Sequence, residues 1–117
     1  VCDKLQKILS LIGLAQKSGR VSSGTMAART SLVRHRAHLL ILSNDISERT
    51  GQSLIANCQR TGIQWIVVGD KYQLGACLGK AYRVAATVND KEMAQSILKR
   101  VQSLDEQTSM GVVEWPK

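Results

Sequence analysis

The stretch HLLILS, residues 38–43, is an unbroken apolar run of strand length, opened by a histidine and closed by a serine. A strand with one wet face alternates apolar and polar side chains, so an unbroken run fits a strand covered on both faces. The flanks say what covers it. Upstream, Leu5, Ile8, Leu9 and Ile12 fall at i, i+3, i+4, i+7, the stripe of an amphipathic helix. Gly19, after Lys17 and Ser18, is a natural stop for that helix. Residues 20–22 suit a brief edge strand, and a second helix is expected over about 24–35.

Downstream, a helix over about 47–61 buries Leu54, Ile55 and Cys58 and ends at Gly62. Residues 64–68 read as a second buried strand, and Asp70 caps a short helix that Gly79 closes. Residues 83–88 form a further strand. Asn89 then resembles an N-cap with Glu92 as its reciprocal partner, before a last helix that buries Ala94, Ile97, Leu98 and Val101. Helices alternating with strands imply an α/β fold, a sheet sandwiched between helical layers. The periodicity fades after Val101. A single domain over 1–117 is expected, with its core over about 3–102 and a tail over 103–117, where residues 111–115 suit an extra docked strand or a free end.

The chain has 117 residues with an apolar share of 44%, enough for one core and unlike a disordered segment. With no Phe, two Trp and two Tyr, that core must be built from Leu, Ile, Val and Ala. The formal charge is +7, and it is uneven: Lys4, Lys7, Lys17, Arg20, Arg29, Arg34 and Arg36 precede residue 41 against Asp3 alone. A basic first third is the footprint of a polyanion-binding face; a soluble surface with surplus cations is the plainer reading. Cys2, Cys58 and Cys77 are odd in number and widely spaced, which favours thiols in a reducing compartment over a disulfide framework. No apolar run approaches the roughly 18 residues of a membrane span, and the first residues do not read as a secretion signal. A soluble cytoplasmic protein without a membrane partner is expected.

Candidates for catalysis are thin. His35 and His38 straddle a helix end with no further ligand at metal-binding spacing. Asp45, Glu48 and Asp70 sit beside helix starts, where carboxylates serve as caps. There is no phosphate loop with its lysine and no nucleophile elbow. Gly75 and Gly79, at small-xxx-small spacing, fit close helix packing and a helix stop.

Three stretches in order resemble a known family: LIGLAQKSGRVSSG (11–24), AHLLILSNDI (37–46), and GIQWIVVG (62–69), the last continued by LGACLG (74–79) and residues 83–88. They are similar to the kink-turn RNA-binding ribosomal proteins that include archaeal L-seven-Ae, and most of all to the bacterial YlxQ-like branch. The likeness covers about residues 5–101. It implies a three-layer α/β/α sandwich on a central four-stranded mixed sheet, with no cofactor, no small-molecule substrate and no catalysis. It also implies binding of structured RNA, ribosomal RNA among the candidates, at one end of the fold. Kink-turn readers carry Asn-Glu at the start of the second helix and a Lys three residues after the Glu. In this chain Met26 and Ala27 stand at the Asn-Glu positions and Thr30 at the Lys, a departure from the pattern.

The chemistry left at that helix suits phosphate. A helix N-terminus offers free N–H groups and a partial positive charge, and Gly24 lets a backbone come close. Ser22, Ser23 and Thr25 add hydroxyls, unless one of the serines is simply the cap. Met26, Arg29, Thr30 and Arg36 are expected on the outward face, and Lys17 and Arg20 beside the same end. The second half of the expected site is Lys80, Tyr82, Arg83 and Val84, where Tyr82 suits base stacking or a half-buried boundary position. A protein-interaction module on the same fold is the alternative, motivated by Met26 and Val33 on the exposed face. A substrate-binding piece of an RNA-modifying enzyme is a third reading.

Overall fold

The computed structural model describes residues 3–108. Among these residues nine elements alternate: α1 (Asp3–Lys17), β1 (Val21–Ser23), α2 (Thr25–Val33), β2 (Leu39–Leu42), α3 (Glu48–Thr61), β3 (Trp65–Val67), α4 (Lys71–Cys77), β4 (Ala85–Val88) and α5 (Lys91–Thr108). The sheet order is β1-β4-β2-β3, with β4 antiparallel to both its neighbours and β2 parallel to β3. This is the expected three-layer sandwich on a four-stranded mixed sheet.

The apolar run of residues 38–43 is the reason there are two cores. Every residue of β2 is buried. Side chains alternate across a strand, so Leu39 and Ile41 enter the core shared with α1, α4 and α5, while Leu40 and Leu42 enter the core under α2 and α3. Fully burying each such side chain stabilises the fold by about 1.5–3 kcal/mol. The α1 stripe lands as its spacing predicts, with Ile8 and Ile12 fully buried and Leu9 nearly so.

Helix ends follow local chemistry. Ser47 accepts from the Thr50 N–H at 3.2 Å and caps α3, and Gly62 at φ 74° closes it. Asp70 and Gln73 form a reciprocal capping box at the start of α4. At α5 the expected cap is displaced by one residue. Asp90, not Asn89, accepts from the Met93 N–H at 2.9 Å. Asn89 is drawn into a polar cluster instead: its Oδ1 accepts from Ser31 Oγ (2.7 Å) and Thr87 Oγ1 (3.0 Å), and its Nδ2 donates to Ser22 Oγ (2.9 Å). The cluster ties α2 to β1 and β4.

Helix α2 stops at Val33, short of the expected His35. The His35 N–H donates to Leu32 O and the Arg36 N–H to Ser31 O, the paired bonds of a Schellman turn, with His35 at φ 59°. Helix α5 continues to Thr108, beyond the last apolar position of its stripe. The expected strand at 111–115 lies outside the described residues. Cys58 is buried and Cys77 half-buried; burial pushes their thiols up to about 12 and about 11. Among the described residues no helix is long and apolar enough to cross a membrane.

Candidate nucleic-acid interface

Strands β1, β2 and β3 all end at one edge of the sandwich, and β4 begins there. Gly24 is the hinge of this end. Its φ of 100° and ψ of 159° belong to a region open to glycine, and its N–H donates to Ala85 O at 2.9 Å. Helix α2 starts at the next residue with no acid in its first turn and no side-chain cap. The first-turn N–H groups therefore stay open, unlike those of α3 and α4. Neither serine closes the helix: Ser22 accepts from Asn89, and Ser23 Oγ accepts from Arg83 Nε at 2.9 Å.

Arg83 reaches this position because its loop crosses α4. Its N–H donates to Lys71 O at 3.0 Å, and its Nη1 donates to Tyr82 O at 2.9 Å. The crossing is tight. A Cβ on Gly75 would sit 2.4 Å from Tyr82 Cα, so only glycine lets the loop lie on the helix. Tyr82 is thereby held outward, 57% exposed, rather than at a half-buried boundary. Lys71 Nζ lies 5.9 Å from the Tyr82 ring centroid and 5.4 Å from that of Tyr72, which is 61% exposed. A cation between two exposed rings favours stacking on unpaired bases and contact with phosphate. Sequence reasoning missed Lys71 and Tyr72. The Asp70 cap marked their position, but nothing in the sequence showed that Tyr82 folds back to them.

The other expected residues divide between this end and elsewhere. Gly24, Thr25, Met26, Tyr82, Arg83 and Val84 gather here; Met26 is 76% exposed, and Val84 O accepts from the Ser43 N–H at 3.0 Å. Thr30 is exposed farther along α2. Arg29 does not stand free, because its Nη2 donates to Ser53 Oγ on α3 at 3.1 Å. Lys17 and Lys80 line one groove between α1 and α4, with a volume near 410 Å³. Lys17, expected beside the α2 entrance, ends α1 next to Ser18, whose Oγ meets Met93 Sδ in the first turn of α5, and so lies away from the cluster.

Arg20 and Arg36 are misplaced by the sequence reading. Arg20 precedes β1 and lies at the opposite end, where its Nη1 meets Asp90 Oδ1 at 2.6 Å. Arg36 follows α2 and lies at that far end too. Chain proximity to Ser22 and Gly24 concealed this, because a strand and a helix each carry their two ends apart.

A model of the Ribosomal protein L7Ae/L30e/S12e/Gadd45 family matches residues 6–99. The chain belongs to that family. Among L7Ae-type relatives, the RNA-binding protein YlxQ of Bacillus subtilis is 28% identical over 88 residues, covering 75% of this chain and 88% of that protein. The large ribosomal subunit protein eL8 of Cenarchaeum symbiosum is 29% identical over 100 residues, covering 85% of this chain and 79% of its own length. The L7Ae-type sandwich also superposes on a solved Bacillus halodurans protein of unknown function, with a TM-score of 0.79 and 29% identity over 82% of this chain and 97% of that one. A Giardia lamblia 15.5kD RNA binding protein shares the fold at a TM-score of 0.72 and 18% identity, over 89% of this chain and 92% of its own.

Proposed function

We propose that this chain is a non-enzymatic, cytoplasmic RNA-binding protein that grips structured, kink-turn-like RNA in or near the ribosome. The observation that carries the reading is the open, acid-free start of α2 standing beside Arg83, Tyr82 and Lys71. It is supported by the relatives, one named an RNA-binding protein and another a large ribosomal subunit protein.

The site holds RNA by electrostatics and stacking. A phosphate seats on the N–H groups after Gly24, where the helix dipole favours negative charge. Arg83, oriented by Ser23, and Lys71 meet neighbouring phosphates, while Tyr82 and Tyr72 offer faces to an unstacked base. With Met26 and Ala27 at the helix entrance, the first turn of α2 itself carries no carboxylate to accept from a guanine amino group. Recognition therefore leans on the bend of the RNA and on its unpaired base rather than on the edges of sheared G·A pairs.

Filter binding to purified ribosomal RNA tests this. Affinity falls by about 10³ or more between roughly 50 and 200 mM salt if six or more phosphates are contacted, and proportionately less for fewer. The double variant Lys71→Glu with Arg83→Glu reduces affinity at least about tenfold, the loss of roughly two charge contacts of about 1 kcal/mol each or more. Binding that is absent at low salt, or untouched by that double variant, contradicts the proposal. The exposed Met26 and Val33 favour a protein-docking reading instead, which predicts capture of protein that survives nuclease treatment.

A further inference from the structure

We infer that the end of the sandwich opposite the α2 entrance is a second RNA-backbone contact, built on the turn that carries Arg34, His35, Arg36 and His38. Choosing RNA as the partner rests on the reading of the first end. The placement of this second cationic end does not.

The backbone brings these residues to one edge. The His38 N–H donates to Val88 O at 2.8 Å and the Asn89 N–H to Arg20 O at 2.7 Å, so Arg20 and His38 flank the exit of β4 on either side. Strands spaced about 4.8 Å apart put the two residues roughly 10 Å apart across β4. Arg34, His35, Arg36 and His38 are all exposed, and Ala37 between them is buried and anchors the turn. Neither Arg34 nor Arg36 has a side-chain partner among the described residues. Nearby acids do not neutralise the cluster: Asp90 is engaged by Arg20 and by the Met93 N–H, which leaves Glu92.

An independent observation comes from the backbone. Six described residues have a positive φ; five are glycines, at 19, 24, 62, 69 and 79, and the sixth is His35. A left-handed residue with a side chain costs about 1–2 kcal/mol relative to glycine. Among the described residues, glycine stands at every positive-φ position except the one in the middle of the cationic turn. A strained side chain kept at one exposed site points to a use for that side chain. Between two arginines, the imidazole N–H is a hydrogen-bond donor to phosphate oxygen. The double arginine supplies the charge, and two RNA segments can then be held at opposite ends of one sandwich.

The test uses the full chain and a short blunt RNA duplex, which offers backbone but no unpaired base. The double variant Arg34→Glu with Arg36→Glu weakens duplex binding at least about tenfold and lowers the slope of log affinity against log salt by about two. His35→Gly weakens it at least twofold while unfolding at a higher temperature. The inference is overturned if the double variant binds the duplex with wild-type affinity and slope. It is equally overturned if that variant loses only binding to phosphatidylglycerol vesicles and keeps the duplex. If instead Lys71→Glu with Arg83→Glu leaves ribosomal RNA binding intact, the first site fails and the duplex result stands by itself.

Discussion

Arg83 Nε donates to Ser23 Oγ at 2.9 Å, joining the loop that enters β4 to the last residue of β1, one position before Gly24. The bond fixes a cation beside the open end of α2. Its two halves have separable consequences. Ser23→Ala removes the acceptor and costs about 0.5–1.5 kcal/mol in urea denaturation, yet keeps the charge, so RNA affinity stays within about threefold. Arg83→Met costs a similar stability but lowers RNA affinity at least about fivefold, because a charge-assisted contact is lost with it. A double-mutant cycle on the two residues measures their coupling directly.

Gly75 and Gly79 predict different failures. At Gly79 a Cβ meets nothing within 4 Å, and the φ of 74° sets the cost of Gly79→Ala at about 1–2 kcal/mol. At Gly75 the φ is ordinary, but the new Cβ would lie 2.4 Å from Tyr82 Cα. Gly75→Ala must push the loop off α4, at a cost of about 1–3 kcal/mol or more, and carry Tyr82 and Arg83 with it. Denaturation and RNA binding measured together distinguish them: both properties fall for Gly75→Ala, and chiefly stability falls for Gly79→Ala.

Asn89 holds three side chains at once, and two of its partners, Ser31 and Thr87, are fully buried. Asn89→Ala leaves their hydroxyls short of an acceptor and costs about 2–3 kcal/mol. Asp90→Ala removes a helix cap and one partly exposed ion pair, and costs about 1 kcal/mol. Chemical denaturation of the two variants gives that order; the reverse order would contradict the weight given to the buried Asn89 cluster.

His35→Gly relieves a left-handed residue that bears a side chain, at φ 59°. It raises stability by about 1 kcal/mol, seen as an increase of several degrees in the thermal midpoint.

The sandwich was legible because its signals are local and periodic. The unbroken run at residues 38–43, the stripe at Leu5, Ile8, Leu9 and Ile12, and the stops at Gly19 and Gly62 each specify an element without reference to distant residues. The α2 entrance was legible for the same reason, since a glycine before an acid-free helix is a short-range pattern. What depended on non-local packing was not. The Lys71, Tyr72 and Tyr82 cluster exists only because Gly75 lets a loop lie on α4. Arg20 and Arg36 flank the entrance in sequence but leave it in space, carried off by β1 and by α2. Asn89 and Asp90 are both competent caps, and only the positions of Ser22, Ser31 and Thr87 decide which one is taken inward.

The most direct measurement is an amide NMR titration of this 12.8 kDa chain with structured ribosomal RNA fragments. At the lowest RNA ratios, the largest shifts are expected at the amides of Gly24, Thr25, Met26 and Ala27, accompanied by Lys71, Tyr72, Tyr82 and Arg83. Shifts that begin in the groove between α1 and α4, or that leave the first turn of α2 unmoved at saturation, would contradict the proposed interface.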